Sequence, residues 1–212
     1  MITSLFRSIK KIVNNIQIYV IRRRILSRIT FTGKHLGLRS NARVNLKYGS
    51  TKADVVVEDN CEIFGTLNSF HHGKIVMREW SKLGPNSSID CVNYIEIGKD
   101  TAISYNVKII DNNNHPVNPE DRRYMRHTPH KSEERAPQYS ANAPIIIGEN
   151  VLVGANSRIC KGVTIGDNAI IAAHAVVTKN VPANAIAAGN PARIVKENID
   201  QSTTPIFPLK NK

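Results

Sequence analysis

The chain has 212 residues, 29 Lys and Arg against 17 Asp and Glu, a formal net charge of +12 and 41% hydrophobic residues. That length suits one domain with appendages, the composition is that of an ordinary globular chain, and no apolar run is long enough to cross a bilayer. The positive balance points to an anionic partner (nucleic acid, membrane surface, acidic polysaccharide or phosphorylated cofactor) without choosing among them, because clusters such as Arg22-Arg23-Arg24 are most often solvated faces.

Residues 1–30 form a unit of their own. Leu5, Phe6, Ile9, Ile12, Val13, Ile16 and Val20 recur at helical spacing among Arg7, Lys10, Lys11 and Arg22 to Arg24. This is a basic amphipathic helix, whose apolar stripe can lie in an anionic membrane interface or dock on the protein or a neighbouring subunit. Both readings stay open. The N-terminal order is not that of a secretory signal peptide, and Cys61, Cys91 and Cys160 show no CxxC spacing. We therefore expect a cytoplasmic protein, at the inner face of the membrane if the helix binds there, with Cys160 serving packing.

From residue 31 to 195 we expect one domain built on a stride of six. Between Ile147 and Val181 the stride is unbroken: Ile147, Val153, Ile159, Ile165, Ile171 and Val177, each followed four places later by Val151, Ser157, Val163, Ala169, Ala175 or Val181. Neither a helix nor a hairpin strand keeps that period, and it is the signature of a parallel β-helix of three short strands and three turns per coil. The aliphatic column fills the prism and the small residues let the backbone turn. Upstream, from Phe31 to Trp80, the stride is degraded: Val57, Ile63 and Ser69 keep it, with an irregular turn at His71-His72, which read as exposed loop residues. It recovers at Leu83 and Ile89, then Ile97, Ile103 and Ile109, after a two-residue slip.

The largest interruption is a polar, histidine-bearing excursion at 111–144, too poor in aliphatics to join the prism. Excursions of that length from compact folds usually carry function or are disordered. After Val181 the stride gives way to Ala188-Gly189-Asn190-Pro191-Ala192-Arg193, and the tail 196–212 is polar. The N-terminal helix and this C-terminal segment are the natural covers for the two open ends of the prism.

The repeats, the Ala188–Arg193 motif and the loop segment His115-Pro116-Val117-Asn118-Pro119-Glu120-Asp121-Arg122 resemble the hexapeptide-repeat acyltransferases, in particular the maltose, galactoside and capsular-polysaccharide O-acetyltransferases. The resemblance covers about residues 80 to 196 and implies an all-β, left-handed parallel β-helix, an exception to the right-handed rule for parallel crossovers. It further implies homotrimers with active sites between subunits, acetyl-CoA as acetyl donor and a sugar hydroxyl as acceptor. A surface polysaccharide or its precursor, anionic or lipid-linked, would be drawn to the basic surface; nucleic acid is not an expected partner.

On this resemblance His115 is the general base. Neutral imidazole suits a hydroxyl proton near neutral pH. Asp111, Asn106, Glu133 and Glu134 are candidates to orient it, with no choice among them, and Asn86 is the candidate to hold the acceptor. For the cofactor the matching positions are Gly154, Ala155, Ala172, Ala173, Thr178, Lys179, Gly189, Arg193 and Lys196, small corners for the pantetheine arm and cations for phosphates. Leu152 stands where several relatives carry a tryptophan. His127, His130 and His174 read as surface residues. The alternatives are a serine or amino-sugar N-acetyltransferase and, less favoured, a γ-class carbonic anhydrase-like metal hydratase. The latter needs three converging histidines, where only His174 lies on a regular coil, so no metal is expected.

Overall fold

The computed structural model describes residues 2–130 and 132–202, with the side chains of residues 2–12 and 14 outside the description. The stride of six folds as three-sided coils. The first coil comprises β1 (Thr30–Phe31), β2 (Leu36–Leu38) and β3 (Arg43–Lys47). The second comprises β4 (Val55–Val57), β5 (Cys61–Ile63) and β6 (Thr66–Phe70), and the third β7 (Lys74–Met77), β8 (Lys82–Leu83) and β9 (Ser88–Cys91). The fourth holds β10 (Tyr94–Ile97), β11 (Ala102–Ile103) and β12 (Lys108–Ile110). After the excursion come β13 (Ile145–Ile147), β14 (Leu152–Val153) and β15 (Arg158–Cys160), then β16 (Thr164–Ile165), β17 (Ile170–Ile171) and β18 (Val176–Val177). A hairpin of β19 (Ile186–Gly189) and β20 (Ala192–Lys196) ends the stack.

Equivalent strands pair in parallel into three sheets, β1-β4-β7-β10-β13-β16, β2-β5-β8-β11-β14-β17-β19-β20 and β3-β6-β9-β12-β15-β18. The result is a left-handed parallel β-helix. We call these the first, second and third faces, and name each corner by the faces it joins.

The aliphatic column is the core. Ile147, Val153, Ile159, Ile165, Ile171 and Val177 are all at most 1% exposed, and the residues four places on, Val151 to Val181, are buried as well. Each such aliphatic side chain contributes about 1.5–3 kcal/mol on burial. The degraded upstream stride is the same architecture with longer coils. Val57 pairs with Met77 and Met77 with Ile97, twenty residues apart, whereas Ile147 pairs with Ile165, eighteen apart. The extra residues sit at the third–first corner, where His71 and His72 take left-handed conformations (φ 49 and 62). Ser69 keeps its place in the column because its buried hydroxyl donates to Gly73 O at 2.6 Å and shares a hydrogen bond with the Ser50 hydroxyl at 2.9 Å. Cys61 and Cys91 face the core, and Cys160 is half-buried, paired with Ile110 on the third face.

Helix α1 (Ile2–Leu26) covers the open end beside the first coil. Ile25 and Ile29 are buried in the core with Ile21 and Leu26 packed against it, while Arg22 donates to Leu36 O and Arg28 to Val44 O. Its stretch before Ile21 behaves differently: Val13, Ile16, Tyr19 and Val20 are half or more exposed. Leu5, Phe6, Ile9 and Ile12 of the apolar stripe lie outside the described side chains. No helix among the described residues is long and apolar enough to cross a membrane. At the other end β20 folds back antiparallel on β19, and a short helix α3 (Ile199–Ser202) follows.

Candidate active site

The long excursion leaves the prism at the third–first corner, between β12 and β13. Its root is a polar clamp. Asp111 is fully buried and its carboxylate accepts from Val92 N, Asn93 N, Cys91 Sγ and Asn112 Nδ2. Opposite, Asn112 bridges to Asn142, Asn113 N donates to Ala141 O, and Ala143 N donates to Asp111 O. Asn93 Nδ2 adds a bond to Asn142 Oδ1. Both strands of the loop are thus stapled to the preceding coil, so the loop leaves in a fixed direction.

Beyond the clamp, Asn114 takes a left-handed conformation (φ 63) with its N–H donated to Asn112 Oδ1, and its side-chain amide meets His115 Nε2 at 3.1 Å. Asn118 then caps α2 (Pro119–His127), accepting from Glu120 N and Asp121 N, with Pro119 in the first turn. Acidic residues at its start and basic residues at its end suit the helix dipole. Met125 is the buried residue of this helix and roots it on the loop. Arg135 closes the far end by donating to the Thr128 and Arg126 carbonyls, and Arg122 donates to Val117 O.

These parts enclose a cavity of about 450 Å³ lined by His115, Arg122, Met125, Arg126, His130 and Arg135. His115, the sequence candidate, sits on this cavity and is exposed. None of the residues proposed to orient it does so within one chain. Asp111 is committed to the clamp, and Asn106 donates instead to Asn156 on another corner. Glu134 lines a neighbouring cavity, and Glu133 belongs to an exposed 3₁₀ turn. The partner is Asn114, adjacent in sequence and concealed there in a run of three asparagines. His130, read as a surface residue, joins the cavity wall. Arg122, Met125 and Arg126 were legible as the i, i+3, i+4 face of a helix, a signal that the loop's polarity masked.

The remaining candidates gather mainly on the second–third corner. There Leu83-Gly84-Pro85-Asn86, Ile103-Ser104-Tyr105-Asn106, Val153-Gly154-Ala155-Asn156 and Ile171-Ala172-Ala173-His174 stack coil on coil. The fourth member of each is left-handed, with φ between 57 and 62, which asparagine tolerates. Asn106 donates to Asn156, and Asn156 meets His174 Nε2 at 3.3 Å, so His174 takes an asparagine's place in the ladder. A side chain at Gly154 would lie 2.5 Å from Ala173 N and 2.7 Å from Ile171 O, so the corner's tightness requires glycine. The backbone N–H groups of Ala155 and Ala173 have no partner among the described residues, and the equivalent position two coils before Ala155 is Pro85, which has no N–H at all. Such a line of small residues with spare amides fits an extended amide-bearing arm like pantetheine.

The same corner continues into the hairpin, where Gly189 (φ 98) turns the chain and Arg193 pairs with Ala188. Lys196 pairs with Ile186, farther along the hairpin. Asn86 stands on this corner two coils before Gly154, a rise of about 10 Å at about 4.8 Å per coil. Its side chain has no hydrogen bond among the described residues. Thr178 and Lys179 are set apart: both are exposed and follow β18 on the third–first corner, the corner from which the loop springs. Leu152 points outward from the second face, 48% exposed. Among the described residues no three His, Cys, Asp or Glu side chains are placed to hold a metal ion.

Within one chain, then, His115 belongs to the third–first corner and the Gly154 to Gly189 line to the second–third corner. Residues 144–179 match the bacterial transferase hexapeptide (six repeats) family. A segment of 55 residues, 26% of this chain, is 51% identical to the 2,3,4,5-tetrahydropyridine-2,6-dicarboxylate N-acetyltransferase of Staphylococcus aureus. The match spans 23% of that relative's length. Among solved structures, AntD, an N-acyltransferase from Bacillus cereus in complex with dTDP and 3-hydroxybutyryl-CoA, is 18% identical with a TM-score of 0.62, covering 83% of this chain and 86% of that one. The polySia specific acetyltransferase NeuO is 21% identical with a TM-score of 0.51, covering 80% and 81%. These two share the fold. Residues 144–179 thus carry the hexapeptide repeat, the matched segment is similar to an acetyltransferase, and the chain shares the β-helix fold of these structures.

Proposed function

We propose that this protein is an acyltransferase that moves an acetyl group from acetyl-CoA to a sugar hydroxyl, with His115 as general base. The observation that carries the reading is the placement of His115: a clamped loop holds its imidazole on a cavity of about 450 Å³, within the range of small-molecule sites. An amide side chain can present either atom, so Asn114 with its oxygen toward Nε2–H leaves Nδ1 with a free lone pair. Nδ1 takes the proton of the acceptor hydroxyl as its oxygen attacks the thioester carbonyl carbon. The carbon–sulfur bond then breaks, and the departing coenzyme A sulfur recovers the proton from the imidazolium. No metal enters this chemistry.

Gly154, Ala155, Ala172, Ala173 and Gly189 line the coenzyme's path, with Arg193 beside it for the nucleotide phosphates, and Asn86 faces the same corner for the acceptor. Thr178, Lys179 and Lys196 would add contacts only from a neighbouring coil edge or subunit. Because His115 and that line occupy different corners of one prism, a homotrimer would be the means of bringing the loop of one subunit to the groove of the next. The acceptor would be a surface polysaccharide or its precursor.

Full-length protein with acetyl-CoA and a panel of sugars should release free thiol and yield an alkali-labile acetyl ester. Acetyl-CoA binding without any thiol release would overturn the reading. A second reading, N-acetylation of an amino sugar, is favoured by the N-acyltransferases among the relatives; an alkali-stable product on an amino sugar would select it.

A further inference from the structure

We propose that the cavity beside His115 binds an oxyanion carried by the acceptor, a carboxylate of an acidic sugar or a phosphate of a phosphorylated one, and that this contact selects the acceptor. The inference rests on the acetyl-transfer reading only for the word acceptor. The loop sorts its charges. Arg122, Arg126, Arg135 and His130 face the cavity with His115, and no carboxylate among the described residues lines it. The acidic residues Asp121 and Glu134 line a separate cavity on the other flank of Met125, with Tyr124 and Tyr139.

The three guanidinium groups are not consumed by the fold. Arg126 makes no side-chain hydrogen bond or ion pair among the described residues. Arg122 spends one nitrogen on Val117 O. Arg135 is fixed through Nε and Nη2 on the Thr128 and Arg126 carbonyls, which leaves Nη1 unused. Carbonyls position these forks without neutralising them, so the positive field is held in place ahead of the ligand. A planar guanidinium presents paired donors that match a carboxylate or a phosphate. Gathering three cations without a counter-ion is unfavourable in the empty protein, and an incoming oxyanion relieves it. A neutral sugar offers nothing equivalent.

The test is calorimetric titration of the full-length protein with glucuronate, glucose 1-phosphate, inorganic phosphate and neutral methyl glucoside, at two salt concentrations and without acetyl-CoA. We expect at least one of the three anions to bind, methyl glucoside not to, and binding to weaken at high salt. Arg126→Gln removes a group that bonds nothing else and should weaken anion binding at least tenfold, with acetyl-CoA affinity unchanged. Glucuronate and glucose 1-phosphate distinguish the carboxylate source from the phosphate source. Absence of binding by all three anions, equal binding of methyl glucoside, or an unaltered affinity in Arg126→Gln would overturn the proposal. Thiol release is measured separately: anion binding without turnover would sink the acetyl-transfer reading and leave this one standing, and turnover on neutral sugars alone would do the reverse.

Discussion

The carboxylate of Asp111 receives the backbone N–H of Val92 on both oxygens, at 3.0 and 3.1 Å, where neither group meets water. That contact joins the first residue of the loop to the corner of the preceding coil, and everything beyond it, His115 included, is aimed from this point. Removing the carboxylate strands the Val92 and Asn93 amides, at about 1–3 kcal/mol for each buried group left unsatisfied. Asp111→Ala should therefore lower the denaturant midpoint with an unchanged slope, and expose the segment 111–144 to protease. A variant as stable and as protease-resistant as the parent would show that the clamp does not hold the loop.

His115 is exposed and its one hydrogen bond among the described residues is to exposed Asn114, so its replacement should be nearly silent in stability. His115→Ala is expected to cut thiol release by about 10²–10⁴-fold, the usual loss of a general base. Melting temperature and acetyl-CoA affinity should stay as they are. Asn114→Ala acts through His115 and should lower kcat while KM changes little. An unaltered kcat would remove Asn114 from that role.

Gly154 packs against the backbone of the next coil rather than against a side chain. Ala173 N, 2.5 Å from an added Cβ, has no rotamer to move away, so the coils must separate. Gly154→Ala should cost about 1–3 kcal/mol, as overpacking does, and weaken acetyl-CoA binding together with stability. Loss of neither would place the coenzyme elsewhere.

Glu96 sets an acid limit on the first face. Partial burial pushes its carboxyl up, but the Tyr94 hydroxyl and Arg78 outweigh that and hold it below the ordinary 4.5. A depressed carboxyl stabilises the fold above its ordinary value, and that contribution is lost as pH falls through the folded one. Arg78 bridges Glu96 and Glu58 while 42% exposed, so solvent screening keeps the effect under about 1 kcal/mol. Stability between about pH 5 and pH 3 should fall less steeply in Glu96→Gln than in the parent. Equal slopes would show that this cluster does not titrate with unfolding.

Cys91 and Cys61 are buried, and burial pushes both thiols up, Cys91 further through the Asp111 carboxylate beside it. Since the thiolate is the reactive form, a disulfide reagent at pH 8 should label the native protein only at Cys160. The other two should react after urea unfolding. Fast native labelling at Cys91 would contradict its burial.

How much of this was written in the chain differs between the prism and the loop. Ile147, Val153 and Ile159 declare the core because burial in a β-helix repeats with the local geometry of the strand, and a period of six needs no distant partner to be read. The early coils were legible for the same reason, although their corners hid two extra residues that only the pairing of Val57 with Met77 made countable. His115 was legible as a candidate through the resemblance of its segment, residues 115–122, to the loop of the O-acetyltransferases. Its surroundings were not. Asp111 finds Asn93 across the turn of a coil, and His130 and three arginines line one cavity with His115. Such contacts obey no period, because they are fixed by where a clamped loop turns in space, and that is a property only the folded chain possesses.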